Sequence, residues 1–169
     1  MTTRYDVYAL GNALVDLEYR VEDDFLLRHG IEKGVMTLAE ADGQARLLAA
    51  LDIDHQRLKQ ASGGSAANSI IATSAFGARC YYNCKVAHDE LGSFYRRDLI
   101  AAGVATNLGE QRPEGVSGTC VVMVTPDTER TMSTYLGITA DLSVAELDLD
   151  ALRASQWLYI EGYLCTSPS

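Results

Sequence analysis

The chain has 169 residues, of which 47% are hydrophobic and 22% are charged, as is usual for a globular domain with a sizeable core. Its formal net charge of −9 argues against nucleic acid or an anionic membrane surface as a main partner, because both require a basic face. Its apolar runs are far shorter than the ~20 residues of a membrane-spanning helix. The N-terminus also lacks the apolar core of a signal peptide, so we expect a cytoplasmic protein.

The first predicted element is a buried strand over Tyr5–Gly11, which is rich in residues that favour β-structure and ends in glycine. A polar cluster follows it at once, from Asn12 to Asp16. Open α/β sheets bind ligands beyond the carboxyl ends of their strands. The Asp16 carboxylate could accept hydrogen bonds from two vicinal hydroxyls, or it could cap a turn, and the residues favour neither over the other.

The next segments predict an excursion from this first sheet. Val15–Val21 alternates apolar and polar residues, which is typical of a strand with one exposed face. Later segments predict a helix over Asp23–His29, a short strand within Lys33–Leu38 and a helix over Ala39–Leu51. A half-exposed strand outside the main sheet indicates a second, smaller sheet.

A double glycine, Gly63-Gly64, then precedes a helical pattern that stops at Gly77. Backbone without a Cβ can turn sharply or lie against a ligand. Ser65 is a suitable N-cap for the helix. A phosphate-binding loop would favour a lysine after the glycines, and Ser65 stands there instead.

The remaining segments complete an alternating pattern. They predict a strand over Arg79–Val86, a helix over Glu90–Ala102 capped by Asp89, a hairpin of Gly118–Pro126 with Arg130–Leu136, a helix over Asp148–Ser155, and a buried strand from Trp157 to Gly162. Strands that alternate with helices predict a three-layer α/β fold with a mostly parallel sheet.

Cysteine and histidine give no sign of a metal site. The four cysteines form no C-x-x-C pair, and a reduced, structural role is expected for Cys80, Cys84, Cys120 and Cys165. The three histidines are isolated in the sequence; we interpret His88 as a loop residue, and we interpret none of His29, His55 and His88 as a catalytic base.

Three polar segments meet at one edge if the sheet is parallel. They are Asn12–Asp16, Gly63–Asn68 and Glu161 after the last strand. Two carboxylates, asparagine amides and bare glycine backbone suit a neutral polyol better than an anion.

Several motifs resemble the ribokinase-like (PfkB) carbohydrate kinases, and most of all their adenosine kinase branch. The motifs are G-N-A-L-V-D at 11–16, G-G-S-A-A-N-S at 63–69, G-A-R-C-Y-Y-N-C-K-V-A-H-D-E-L-G at 77–92, S-G-T-C-V-V-M-V at 117–124 and E-R-T-M at 129–132. The resemblance implies a kinase that uses ATP and Mg to phosphorylate a primary hydroxyl of a sugar or nucleoside. It also implies a Rossmann-like domain with a small β-sheet lid, formed here by about 15–37, 56–62 and 117–137, and it allows a homodimer through that lid.

The resemblance also implies roles for individual residues. Asp16 matches the carboxylate that binds the sugar hydroxyls, and Gly63, Gly64 and Asn68 match further substrate contacts. Asn12 would line the pocket, and Glu161 falls near a substrate carboxylate of some sugar kinases. Arg130 matches a lid arginine to which we assign no role. Asp89 and Gly92 match positions that we interpret as structural.

One family motif, D-T-x-G-A-G-D, is absent from the 169 residues. In the family it supplies the general-base aspartate and the glycines that stabilise the transferring phosphoryl group. We therefore assign no catalytic, cofactor-binding or metal-binding residue, and we expect residues 1–169 to be the N-terminal part of one kinase domain without its ATP-binding half. Such a part alone should be inactive and carry an unpaired sheet edge. The alternative is a non-catalytic module that binds a polyol or nucleoside.

Overall fold

The computed structural model describes residues 3–166, so residues 1–2 and 167–169 of the predicted unit lie outside it. Strands and helices alternate along the described residues. The strands are β1 Tyr5–Leu10, β2 Leu14–Arg20, β3 Met36–Leu38, β4 Arg57–Gly63, β5 Cys80–Asn83, β6 Ala105–Thr106, β7 Gly118–Val124, β8 Arg130–Tyr135 and β9 Ser155–Ile160. The α-helices are α1 Asp23–Arg28, α2 Ala41–Asp54, α3 Ser65–Ala75, α4 Glu90–Ala101 and α5 Leu149–Arg153, and 3-10 helices cover Gly137–Asp141, Val144–Glu146 and Gly162–Thr166. Within residues 3–166, no helix combines the length and apolar character that a membrane crossing requires.

The first sheet is parallel throughout and has the order β6-β5-β1-β9. Alternation along β1 places Tyr8 on the face covered by α5 and Ala9 on the face covered by α3. Tyr8 stacks on Tyr81 of β5, with ring centroids 5.3 Å apart. Helices therefore cover both faces, which confirms the predicted three-layer α/β fold with a parallel sheet.

The second sheet has the order β3-β8-β7-β2-β4 and mixed strand directions. The predicted hairpin of β7 and β8 is antiparallel, whereas β2 runs parallel to β7. One face packs against α1 and α2, where the buried Gln44 donates to Thr119 Oγ1 at 3.1 Å. The other face carries the register row of Asp16, Cys120 and Thr134. We call this sheet the lid sheet.

The chain passes between the two sheets at glycine-containing segments. These are the segment around Gly11, the Gly63-Gly64 pair, Gly118 and Gly137. A Cβ on Gly118 would lie 2.5 Å from the Leu136 carbonyl oxygen, and one on Gly137 would lie 2.2 Å from that of Val116. The crossing backbones therefore touch one another directly.

Two sequence predictions about these elements are wrong. Ser65 is not the N-cap of α3; Gly64 holds that position, and Ser65 is the first helical residue. The strand predicted from Trp157 as buried is exposed, with 71% of Trp157 accessible. Its apolar sequence is typical of a strand covered on both faces, but β9 lies at the edge of the first sheet, paired with β1. The Asp89 cap is confirmed, because its carboxylate accepts from the Gly92 N–H at 2.7 Å.

Candidate functional site

A cavity of about 580 Å³ lies between the lid sheet and the carboxyl ends of β1 and β9. Its polar side includes Asn12, Asp16, Asn68 and Glu161. Its apolar side comes mainly from the lid sheet and includes Leu38, Val122, Met132 and Leu136. The structure thus brings the three predicted polar segments together in one concave site. This site has a polar side and an apolar side, as small-molecule sites commonly have.

Asp16 projects into this cavity from β2, at a point where the strand is flanked by β4 and β7. None of the hydrogen bonds or ion pairs found within residues 3–166 involves its carboxylate. Burial raises the pKa of Asp16 above its usual value, and the charges of Arg130 and Lys59 offset part of that effect. A half-buried carboxylate without a protein partner is suited to accept hydrogen bonds from a ligand.

Two asparagine amides line the same cavity as this carboxylate. Asn12 follows β1 and Asn68 stands in the first turn of α3. Neither side-chain amide takes part in the hydrogen bonds found within residues 3–166. Each amide can donate and accept at once, which is the pattern that hydroxyl groups require.

The double glycine allows the two walls to approach closely. A Cβ on Gly63 would lie 2.1 Å from Asp16 Oδ1, so only glycine leaves room for this carboxylate. Gly64 has a φ of +95°, and a Cβ there would lie 2.4 Å from the Asn12 carbonyl oxygen. Gly63 therefore supports Asp16 from behind, whereas Gly64 itself lines the cavity.

Glu161 is 3% exposed and binds the protein itself. Its Oε1 accepts a short hydrogen bond from the Asn12 N–H. Its Oε2 accepts from the Ser65 hydroxyl at 2.5 Å and from the Ala66 N–H at 3.0 Å. The carboxylate therefore joins the loop after β1 to the first turn of α3, and its oxygens are already engaged by donors of the chain.

The sequence profile of the "pfkB family carbohydrate kinase" matches residues 37–169. The chain belongs to this family. It is 25% identical over 161 residues to the guanosine-inosine kinase of Escherichia coli K12, which covers 94% of this chain and 37% of that protein. It is 31% identical over 106 residues to a fructokinase of Klebsiella pneumoniae, which covers 62% of this chain and 34% of that protein.

Solved structures give the same fold. The adenosine kinase of Sinorhizobium meliloti superposes with a TM-score of 0.82 at 38% identity, over 98% of this chain and 49% of that one. The adenosine kinase of Anopheles gambiae superposes with a TM-score of 0.84 at 25% identity, over 96% of this chain and 49% of that one. This pfkB chain therefore spans about half the length of these solved relatives and little more than a third of the guanosine-inosine kinase.

Sequence reasoning did not find the buried groups that hold the loops of this pfkB site. The Ala13 N–H donates to Thr139 Oγ1 at 2.8 Å, and the Tyr82 hydroxyl donates to the Asn12 carbonyl at 3.1 Å. The Tyr95 hydroxyl donates to the Gly63 carbonyl at 3.0 Å. Burial raises the pKa of both tyrosines well above the usual value, which keeps these donors protonated. No local pattern marks these residues, since each acts on a loop distant in sequence.

The lid-sheet residues of the cavity, in contrast, were accessible to sequence reasoning. Cys120 and Val122 are two positions apart on β7, and Met132 and Thr134 are two positions apart on β8, so each pair lies on one face of its strand. Which face meets Asp16 depends on the register between β2 and β7, and the sequence does not specify that register.

The cavity is a poor match for ATP and Mg²⁺, which pfkB kinases are expected to use. The N-terminus of α3 would favour a phosphate, but the Glu161 carboxylate already accepts from the donors there. Asp16 adds a second carboxylate to the same walls. In the part of the chain that the structure describes, no group of three or more His, Cys, Asp or Glu residues is arranged to hold a metal ion. The two carboxylates of this cavity therefore disfavour an anionic ligand, although Arg130 also lines the cavity and offsets part of their charge.

Proposed function

We propose that this chain is the substrate-binding part of an ATP-dependent kinase that phosphorylates the primary hydroxyl of a nucleoside resembling adenosine, guanosine or inosine. The observation that carries the proposal is the Asp16 carboxylate, which faces the cavity together with the amides of Asn12 and Asn68; among residues 3–166 none of these three side chains has a hydrogen-bond or ion-pair partner. In this arrangement Asp16 accepts hydrogen bonds from the vicinal ring hydroxyls, and the two amides bind the remaining polar atoms.

The apolar side of the cavity supports a nucleoside over a free sugar. A pentose would satisfy the polar side but would leave Met36, Leu38 and Met132 in contact with water. A nucleobase presents a flat, largely apolar surface that can cover these side chains. Kinases of adenosine and of guanosine and inosine are among the relatives, and so are fructokinases, so the preference for a nucleoside rests on the apolar side of the cavity.

The proposed reaction uses ATP and Mg²⁺, but we do not propose that either of them binds in this cavity. The family's D-T-x-G-A-G-D sequence, with its general base and its glycines at a helix N-terminus, is not among the 169 residues. The chain itself is therefore proposed to bind and orient the substrate and not to transfer the phosphoryl group. A homodimer through the lid and a cytoplasmic location both stay predictions.

Calorimetric titration of adenosine, guanosine, inosine, ribose and fructose into the 169-residue chain tests the proposal. We expect saturable binding of at least one nucleoside, weaker binding of both sugars, and no ADP formation when ATP and Mg²⁺ are added. Absence of binding for all five compounds would refute the substrate assignment. ADP formation coupled to nucleoside phosphorylation would instead show that the catalytic groups lie within these residues.

A non-catalytic binding module is the second candidate, and the missing D-T-x-G-A-G-D sequence is the observation that favours it. The intact mass of the protein purified from its natural source separates the two. The kinase requires a longer protein that contains that sequence. A natural protein of 18.3 kDa would support the module.

A further inference from the structure

We propose that Glu161 is a positioning residue that does not itself bind the substrate. Its carboxylate holds the loop after β1 and the first turn of α3 in a fixed position relative to each other. The proposal rests on the proposed function, since it assumes that these loops bind a nucleoside. It departs from the sequence-based expectation that Glu161 is a substrate ligand.

The hydrogen bonds of Glu161 carry the proposal. One carboxylate oxygen accepts from Asn12, in the loop that leads from β1 to Asp16. The other accepts from Ser65 and Ala66, in the turn that carries Asn68. One buried side chain therefore spans both segments that present polar groups to the cavity. Because its oxygens already accept three hydrogen bonds, little acceptor capacity is left for a ligand.

The packing around Gly11 fixes the same arrangement sterically. A Cβ on Gly11 would lie 2.4 Å from the Ala66 Cβ and 2.8 Å from the Glu161 Cδ. The end of β1, the start of α3 and the Glu161 side chain therefore meet without spare volume. A displacement of Glu161 must move at least one of the two loops.

The charge of Glu161 has a second effect at the start of α3. The first N–H groups of a helix lack partners within the helix and attract anions. Gly64, the N-cap residue, has no side chain to satisfy them, and Glu161 takes over this function from a distance of 95 residues along the chain. Glutamine in its place keeps the shape but turns an NH₂ group toward at least one N–H or O–H donor. Glu161→Gln should therefore loosen one loop even though it fills the same volume.

The test compares Glu161→Gln with Glu146→Gln in the 169-residue chain. Glu146 also accepts hydrogen bonds from its own chain, from Lys85 and Ser143, but it lies outside the cavity. Adenosine affinity is measured by calorimetry, where the stoichiometry reports the folded fraction, and thermal unfolding is measured in parallel. We expect both variants to unfold at lower temperature than the wild type. Only Glu161→Gln should weaken adenosine binding by about tenfold or more in the folded fraction.

A folded Glu161→Gln variant that binds adenosine within about twofold of the wild type would overturn the proposal. An equal loss of affinity in Glu146→Gln would overturn it as well, because the effect would then follow from general destabilisation.

If Glu161→Gln does not fold, amide hydrogen exchange in the wild type decides. The proposal requires slow exchange at the Asn12 and Ala66 amides, and exchange at the rate of an open loop refutes it. If the wild type binds no nucleoside, the proposed function fails. The exchange experiment still shows whether the Asn12 and Ala66 amides are held by Glu161.

Discussion

The carboxylate of Asp16 lies so close to Gly63 that a Cβ on Gly63 would come within 2.1 Å of Oδ1 and 2.4 Å of Oδ2. The glycine belongs to β4 and the aspartate to the neighbouring β2, so the contact is set by the pairing of these two strands. Any side chain at position 63 must therefore displace the group that we propose binds the substrate hydroxyls.

Gly63→Ala should consequently lose nucleoside affinity while keeping the fold. The added methyl group forces the Asp16 side chain to rotate away, which we expect to destabilise the protein by about 1–3 kcal/mol. Gly43→Ala is the matched control, because a Cβ there meets nothing within 4 Å and alanine favours the surrounding helix α2 by up to about 1 kcal/mol. Calorimetry and chemical denaturation measure both effects. Unchanged adenosine binding in Gly63→Ala would contradict this account of Asp16.

Asp16→Asn should weaken binding and stabilise the fold at neutral pH. Replacing the carboxylate removes charge-assisted hydrogen bonds, for a loss of about tenfold to a hundredfold in affinity. Burial raises the pKa of Asp16 above 3.8, so the folded protein holds this proton to higher pH than the unfolded chain. The wild type should therefore lose stability relative to the variant as the pH rises from about 3.8 through the raised pKa.

Denaturant unfolding of the wild type and Asp16→Asn between pH 3 and pH 8 measures this difference. A variant that is less stable than the wild type at pH 7 would mean that the carboxylate has a stabilising partner in the folded protein. That result would remove the main argument for its role in ligand binding.

Glu146 should show the opposite dependence on pH. Its burial disfavours the ionised form, but hydrogen bonds from Lys85 at 2.5 Å and from Ser143 outweigh that effect and lower the pKa from 4.5 to about 2. The stabilisation is complete above pH 4.5 and is lost as the pH falls through about 2. Glu146→Gln should cost about 1–3 kcal/mol at neutral pH and nothing at the acid limit. A difference in unfolding free energy that does not change with pH would contradict the ion pair.

The apolar wall can be tested at Leu38, which is 68% exposed and lines the cavity from the edge strand β3. Leu38→Ser should reduce adenosine affinity about fivefold to thirtyfold, as expected for loss of about 1–2 kcal/mol of apolar contact. Affinity for ribose should not change. Ile53→Ser serves as the control, since Ile53 is 80% exposed on α2 and does not line the cavity. An equal loss for ribose and adenosine would argue against a base-binding wall.

The comparison of Asn12 and Asp16 with Glu161 shows what the sequence could predict. Asn12 follows the end of β1, and the topology of a parallel sheet is enough to bring it to the edge where Asn68 also lies. Asp16 instead reaches the cavity from β2 of the lid sheet. Glu161 was predicted at the same edge as Asn12 for the same reason. Its partners could not be predicted, because they are backbone N–H groups left open by a turn and by a helix start. Sequence patterns locate side chains along an element but do not show which distant backbone group lacks a partner.

Ser65 and β9 illustrate two further limits. The cap of α3 was assigned to Ser65 from its residue type, yet the tight approach to Asn12 requires a glycine with positive φ at the cap position itself. The apolar sequence of β9 predicted burial, and its exposure follows from its place at the edge of the sheet. Both outcomes depend on neighbours that are distant in the sequence.

The glycine crossings between the two sheets have a thermodynamic consequence for the cavity. Its polar floor is built from the segments through which the chain passes from one sheet to the other, at Gly11 and at Gly63-Gly64. A change in the angle between the sheets must therefore alter the spacing of Asn12, Asp16 and Asn68. By reciprocity, a ligand that fits one spacing best stabilises the corresponding angle. Ligand binding in the cavity and the angle between the two sheets are then thermodynamically coupled, so a change in one shifts the other.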